Sequence, residues 1–131
     1  MPSTKTRVNK VANVVIPVAD QERALTFYVD TLGFEKRVDL PFGGKYRWIE
    51  VGLPGQDTTI ALAPPPEGTS AGNRETGISL QTDDVDAYYA QLKQSGVDVD
   101  AEIMRMGDPV PPMFWFRDTE GNSLLIVQPQ S

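Results

Sequence analysis

The sequence contains one pattern twice, and this internal repeat constrains the fold more than any other feature. Residues 14–34 and residues 78–97 each begin with an alternating apolar strand, continue through an acidic turn and a helix, and end at a glycine before a new strand begins. Asp20 and Asp84 occupy equivalent positions, 64 residues apart. Because each unit of a repeat buries its apolar face against its neighbour, the pattern predicts two similar halves that enclose a space between them.

The predicted organisation is a polar arm followed by one domain. At 131 residues, the chain is long enough for one good hydrophobic core. Residues 1–10 are polar, and we expect them to form a frayed arm. We expect residues 11–128 to form the domain. Its halves, residues 11–63 and 76–128, are joined by residues 64–75, which contain three prolines and two glycines and therefore predict a linker.

Hydrophobic periodicity predicts the same order of elements in both halves: a strand, a helix and three further strands. Asp20 and Asp84 are the expected N-caps of the two helices. The predicted fold class is therefore α+β. The predicted helices cover residues 21–33 and 84–95, and the predicted strands cover residues 11–18, 34–40, 46–51, 58–63, 77–82, 97–105, 113–117 and 123–128.

The composition excludes several classes of function. The chain has no histidine and no cysteine, which excludes Ser-His-Asp and Cys-His mechanisms, thiolate chemistry and disulfides. A net charge of −6 argues against a nucleic-acid partner. No apolar run approaches the length of a membrane span, and residues 1–10 lack the apolar segment of a secretory signal, so we expect no membrane partner and a cytoplasmic location.

Two motifs carry a family resemblance. VADQERALTFYVDTLGF, at residues 18–34, and FRDTEGNSLLIV, at residues 116–127, occur in the order expected of the vicinal oxygen chelate superfamily. This superfamily includes glyoxalase I, extradiol dioxygenases and the bleomycin-resistance binding proteins, and the chain resembles it over about residues 11–128. The second motif is usually written Asp-Pro-Asp-Gly-Asn, and here Thr119 and Glu120 take the middle positions.

The resemblance implies tandem βαβββ modules that form a curved mixed β-sheet cup. It also implies a homodimer whose pocket includes residues from both chains. Metal-dependent members carry four ligands on four strands that face the cup. In this sequence the four positions fall on Asn13, Glu50, Gly77 and Leu125.

These four residues do not form a convincing metal set. Glu50 is an ordinary ligand, Asn13 offers a neutral amide oxygen, and Gly77 and Leu125 offer no side-chain donor. Since a divalent metal needs at least three protein ligands, we expect no metal cofactor. A divalent site remains open through atypical ligands such as Gln81 or Gln128.

Strand alternation predicts which other residues line the cup. The predicted ligand-binding residues are Asn13, Tyr46, Trp48, Ser79, Gln81, Trp115 and Leu125. This lining is apolar and aromatic with a few polar groups, which is typical of a small-molecule pocket. Trp48 is the first candidate because an indole face stacks on planar molecules and holds cations.

Glu50 is the candidate catalytic residue. A carboxylate in an apolar cup should have a raised pKa, which suits proton transfer. The alternative interpretations are an ion pair with Arg47, Arg105 or Arg117, or a relic of an ancestral metal site. Of the three arginines, Arg47 is disfavoured because it points to the opposite face of the strand that carries Glu50. Three functions therefore stay open: metal-free binding of a small planar or cationic molecule, which we favour; a metal-dependent lyase, isomerase or dioxygenase that uses Glu50; and a metal-independent enzyme with Glu50 as its base.

Overall fold

The computed structural model describes residues 6–41 and 43–129. The N-terminal half contains one helix and four strands, and the C-terminal half has the same composition. In chain order the elements are β1 (Asn13–Pro17), α1 (Gln21–Thr26), β2 (Glu35–Pro41), β3 (Arg47–Gly52), β4 (Thr59–Ala63), β5 (Glu75–Gln81), α2 (Val85–Gln94), β6 (Asp98–Val99), β7 (Met113–Arg117) and β8 (Ser123–Val127). None of the helices within the described residues is long and apolar enough to cross a membrane.

The strands form two four-stranded mixed sheets with matching topology. Sheet A has the order β1-β4-β3-β2, and sheet B has the order β5-β8-β7-β6. In each sheet the first strand pairs with the last strand in parallel, and the other neighbours are antiparallel. The predicted α+β fold with two βαβββ modules is confirmed.

Both helices begin at the aspartates that the sequence predicts. The Asp20 carboxylate accepts a hydrogen bond from the Arg23 N–H at 3.0 Å, and the Asp84 carboxylate accepts one from the Ala87 N–H at 3.0 Å. These contacts satisfy N–H groups that have no partner within the helix. After Thr26, α1 continues into a wider π-helical turn at Phe27–Thr31 before the chain leaves for β2.

The helix-facing sides of both sheets share one core. The Phe27 ring of the first half lies 6.4 Å from the Phe116 ring of the second half, measured between centroids. The strand residues of this core are Ile16, Ile49, Val51, Ile60, Leu62, Phe114, Phe116, Leu124 and Ile126. Because successive strand residues point to opposite faces of a sheet, the residues that alternate with these point away from the core on both sheets.

A buried polar cluster joins the two halves. The Tyr28 hydroxyl, on the helical segment of the first half, donates to Asp118 Oδ2 at 2.8 Å, in the turn between β7 and β8. The Asn122 side chain donates to the same oxygen at 3.1 Å, and the Glu120 and Asn122 N–H groups donate to Asp118 Oδ1. Tyr28 and Asn122 are fully buried, so these hydrogen bonds satisfy groups that water does not reach.

Glu120 makes a second connection between the halves. Its carboxylate accepts the Ala19 N–H and the Asp20 N–H, each at 3.0 Å. The chain therefore enters α1 with two backbone donors satisfied from the other half. The residue that departs from the usual second motif thus has a structural role.

The prediction of a strand over residues 97–105 is wrong in extent. Regular pairing with β7 covers Asp98 and Val99, and an isolated bridge joins Met104 to Met113. Between them the Asp100 carboxylate takes the Trp115 N–H at 3.1 Å, which replaces a strand-to-strand hydrogen bond. Residues 6–10 of the predicted arm are exposed and form no regular element, and residues 1–5 lie outside the described residues.

The buried hydroxyl of Tyr28 can be tested by a small change. We expect Tyr28→Phe to lower the free energy of unfolding by about 1–3 kcal/mol, because Asp118 Oδ2 then loses a donor that water cannot replace. Urea denaturation followed by far-UV circular dichroism measures the change. Tyr46→Phe is the matched control: Tyr46 is 42% exposed, so its loss should change the stability by less than about 0.5 kcal/mol. Equal stability of the two variants would contradict the assignment.

Candidate functional site

The outward face of sheet A carries the candidate acid and the candidate aromatic residue. Val15 of β1 pairs with Ala61 of β4, which pairs with Glu50 of β3, so the three lie in one row across the sheet. Trp48 lies two residues before Glu50 on the same face. Tyr46 directly precedes β3, is partly exposed, and has the Lys45 ammonium 5.9 Å from its ring centroid.

Glu50 is held by two neighbouring donors. The Trp48 indole N–H donates to Glu50 Oε2 at 2.7 Å, and the Thr59 hydroxyl donates to Glu50 Oε1 at 2.7 Å. The hydrogen bond from Thr59 and that from Trp48 lower the pKa of the Glu50 carboxyl group, and they outweigh its partial burial, which acts in the opposite direction. The expectation of a raised pKa is therefore wrong.

The expected alternative partners of Glu50 are engaged elsewhere. Arg105 pairs with Asp86, and Arg117 pairs with Asp98 and Asp100. Glu50 thus presents an ionised carboxylate on the outward face at neutral pH, with its orientation fixed by an indole and a hydroxyl.

A cavity of about 620 Å³ lies beside Trp48. One wall is Val15, Pro17 and Trp48 from the outward face of sheet A, and a second wall is formed by the prolines at 64–66. The lining also includes Arg74, Glu75 and Thr76, where the linker enters β5. The volume and the apolar lining are those of a small-molecule pocket.

Ser79 and Gln81 line a different space. A second cavity of about 580 Å³ lies between β5 and the β1–β4 side of sheet A, and Gly77, Ser79 and Gln81 form one side of it. Val14 and Ile60 belong to the same lining. Trp48 thus lines one cavity, and Ser79 and Gln81 line another.

Trp115 and Leu125 lie on the outward face of sheet B. They pair with each other across β7 and β8, and Leu125 pairs with Ser79 of β5. Because Phe114 and Phe116 are fully buried in the core, Trp115 between them points the other way. The two outward faces thus carry one tryptophan each and point away from the shared core.

The residues at the four expected metal positions do not fit a divalent metal. By register, Leu125 on β8 corresponds to Ala61 on β4. Ala61 pairs with Val15 of β1, Leu125 pairs with Ser79 of β5, and Val15 and Ser79 are 64 residues apart. Glu50 on β3 corresponds to Trp115 instead. Within residues 6–41 and 43–129, no group of three or more acidic, histidine or cysteine side chains could hold a metal ion.

Several residues of the candidate site escape sequence reasoning. Thr59 reaches Glu50 from the neighbouring strand, and this contact depends on a strand register that the sequence does not reveal. Arg74 and the prolines at 64–66 fall within a segment whose composition predicts a linker, yet they line the larger cavity. The three consecutive prolines are the signal, because they form a stiff apolar strip rather than a flexible connection.

The family model for the Glyoxalase/Bleomycin resistance protein/Dioxygenase superfamily matches residues 10–126. The chain belongs to this superfamily. It is 36% identical over 128 residues to the uncharacterized protein YurT of Bacillus subtilis (strain 168), and the match covers 91% of this chain and 98% of YurT. The resemblance to the vicinal oxygen chelate superfamily is thereby confirmed.

Comparison with solved structures also places the chain in this superfamily. TnmS3, an antibiotic binding protein from Streptomyces sp. CB03234, superposes with a TM-score of 0.82 at 35% identity, covering 96% of this chain and 100% of TnmS3. A superfamily member from Sphaerobacter thermophilus DSM 20745 superposes with a TM-score of 0.83 at 37% identity, covering 92% of this chain and 98% of that one.

The state of Glu50 is directly measurable. We expect its carboxyl carbon to titrate below the usual range of glutamate in a pH series of NMR spectra, because Thr59 and Trp48 donate to the charged form. The stabilisation by these hydrogen bonds is present above the pKa of Glu50 in the unfolded chain and is lost as the pH falls through the lower folded pKa. The stability advantage of the wild type over Glu50→Gln should therefore shrink in acid, and titration of Glu50 above the usual range would contradict the assignment.

Proposed function

We propose that this protein binds a small, planar or cationic organic molecule without a metal cofactor. The observation that carries the proposal is the arrangement on the outward face of sheet A, where the Trp48 indole is fixed by an ionised Glu50 carboxylate beside an apolar cavity of about 620 Å³. The apolar wall and the indole favour flat, apolar molecules, and the carboxylate favours an N–H donor or a positive charge.

The relatives support binding as the activity. TnmS3 is an antibiotic binding protein, and it is 35% identical to this chain over almost the whole length of both. By extension we place this chain among proteins that act by holding a ligand. The ligand class in the proposal comes from Trp48 and Glu50, not from the relative.

Enzymatic alternatives receive less support from the same residues. A metal-dependent lyase, isomerase or dioxygenase needs a set of ligands that Asn13, Glu50, Gly77 and Leu125 do not provide. A metal-independent enzyme with Glu50 as its base needs a carboxyl pKa close to the working pH. The hydrogen bonds from Thr59 and Trp48 shift this pKa away from neutrality, so they make Glu50 a poor base and a good fixed anion.

We further propose that the working form is a homodimer, with sheet A of one copy facing sheet B of the other. β1 and β5 are edge strands, and exposed edges favour pairing with another strand. The exposed large apolar side chains include Val15, Leu40 and Met106, at 51%, 60% and 67%. A second copy would cover such surface and place Trp115 opposite Glu50 and Trp48.

Ligand binding can be tested with 9-aminoacridine, a planar cation. We expect saturable quenching of tryptophan fluorescence, with affinity reduced about tenfold or more in Trp48→Ala, because stacking on the indole is lost. Glu50→Gln should lower the affinity for the 9-aminoacridine cation without abolishing the binding of neutral acridine. Tyr89→Phe, whose hydroxyl binds the Asp100 carbonyl group away from sheet A, is the control. Absence of saturable binding, or a stoichiometric divalent metal that is lost in Glu50→Gln, would contradict the proposal.

The oligomeric state is tested by mass in solution. We expect sedimentation equilibrium to give twice the chain mass of 14.4 kDa. Val15→Lys should shift the protein toward monomer, because a lysine on an edge strand opposes strand pairing, and the exposed position of Val15 leaves the fold intact. Lys10→Ala, which removes a charge before β1, is the control. A wild-type monomer at high micromolar concentration would contradict the dimer.

A further inference from the structure

Arg74 adds a positive charge to the larger cavity. It lies at the end of the linker, in the wall that also contains Glu75 and Thr76, and Trp48 lines the same space. A guanidinium group offers five N–H donors in a planar fork, which matches the two oxygens of a carboxylate. Arg74 therefore gives this cavity a positively charged recognition element.

The backbone of Arg74 is fixed by the second half of the molecule. Its N–H donates to the Asn122 side-chain oxygen at 3.2 Å, and its carbonyl oxygen accepts the Ser123 N–H at 2.8 Å. Asn122 is fully buried and belongs to the cluster around Asp118. The backbone of Arg74 is thus anchored to the cluster around Asp118.

The side chain of Arg74 keeps most of its binding capacity. One terminal nitrogen donates to the Ser70 carbonyl oxygen at 3.0 Å. Within residues 6–41 and 43–129, no carboxylate lies within 4.0 Å of the Arg74 guanidinium, although such partners are present for Arg37, Arg47, Arg105 and Arg117. The carboxylate of Glu75 belongs to the same wall but does not form this ion pair.

We infer that Arg74 is a specificity-determining residue, which selects ligands that carry a carboxylate or another oxyanion on a flat apolar body. This inference rests on the proposed function of the cavity beside Trp48. The apolar body would lie against Trp48 and the prolines at 64–66, and the oxyanion would meet the guanidinium fork. Because the negative charge of Glu75 opposes a general attraction of anions, the selection depends on direct contact with the fork.

The experiment compares two probes of the same shape, 2-naphthoate and the neutral 2-naphthamide, by titration calorimetry. We expect the wild type to bind 2-naphthoate about tenfold more tightly than 2-naphthamide, the advantage of a charge-assisted hydrogen-bonded pair. Arg74→Gln should abolish this preference and change the affinity for 2-naphthamide by no more than about twofold. Arg74→Lys should keep part of the preference, since lysine retains the charge but not the fork.

Two further variants test whether the preference depends on Arg74 itself and on the cavity beside Trp48. Arg23→Gln is the matched control: Arg23 also has no carboxylate partner among the described residues, but it lines a different cavity, so the preference should persist. Trp48→Ala should lower the affinity for both probes by a similar factor. Equal affinity of the wild type for both probes, or a preference that survives Arg74→Gln, would overturn the role of Arg74 and leave ligand binding standing. Binding of neither probe, or binding that is unchanged in Trp48→Ala, would overturn both.

Discussion

The four hydrogen bonds that converge on the Asp118 carboxyl group determine how the two halves meet. Two of them come from backbone N–H groups of its own turn, one from Asn122 and one from Tyr28 of the other half. The backbone N–H groups of the turn hold the acceptor that Tyr28 meets, and a buried acceptor or hydroxyl without a partner is costly. Gly121 permits this turn at φ +80°, where a Cβ would collide with the Asn73 side chain. The residues of the second family motif therefore act as the joint between the modules.

The connection between the halves places the helix-facing sides of both sheets on one core. The position of the candidate site follows from this arrangement. Since the core is shared, the faces that carry Trp48 and Trp115 point outward in different directions. The sequence alone does not reveal whether the two halves pair within one chain or across a dimer. Each face ends at an edge strand, β1 or β5, and the proposal of a homodimer starts from these edges.

The sequence predicts local structure well here because local structure has local causes. The two helix N-termini, at Asp20 and Asp84, depend on residues that are close together in the sequence. The same is true of the two-residue alternation of the strands and of each unit of the repeat. Contacts between distant segments are different. The first family motif contains Tyr28, but it does not reveal that the Tyr28 hydroxyl meets an acceptor 90 residues away.

The same limit explains the error about Glu50 and the shortened strand near Asp100. An apolar surrounding predicts a raised pKa, but Thr59, nine residues along the chain, supplies a hydrogen bond across the sheet that reverses the direction. The alternation of residues 97–105 is compatible with a strand, but the Asp100 carboxylate competes with strand pairing for the Trp115 N–H. In both places a hydrogen bond to a side chain, between segments that are apart in the sequence, decides the outcome.

The strand register shows where the outward faces of sheets A and B differ. Val15 and Ala61 in sheet A correspond to Ser79 and Leu125 in sheet B, each pair 64 residues apart. The third member of the row differs in kind, because Glu50 in sheet A corresponds to Trp115 in sheet B. The row in sheet A offers the Glu50 carboxylate, whereas the row of Ser79, Leu125 and Trp115 in sheet B offers no carboxylate. The same register position therefore holds an anion on the outward face of sheet A and an indole on the outward face of sheet B.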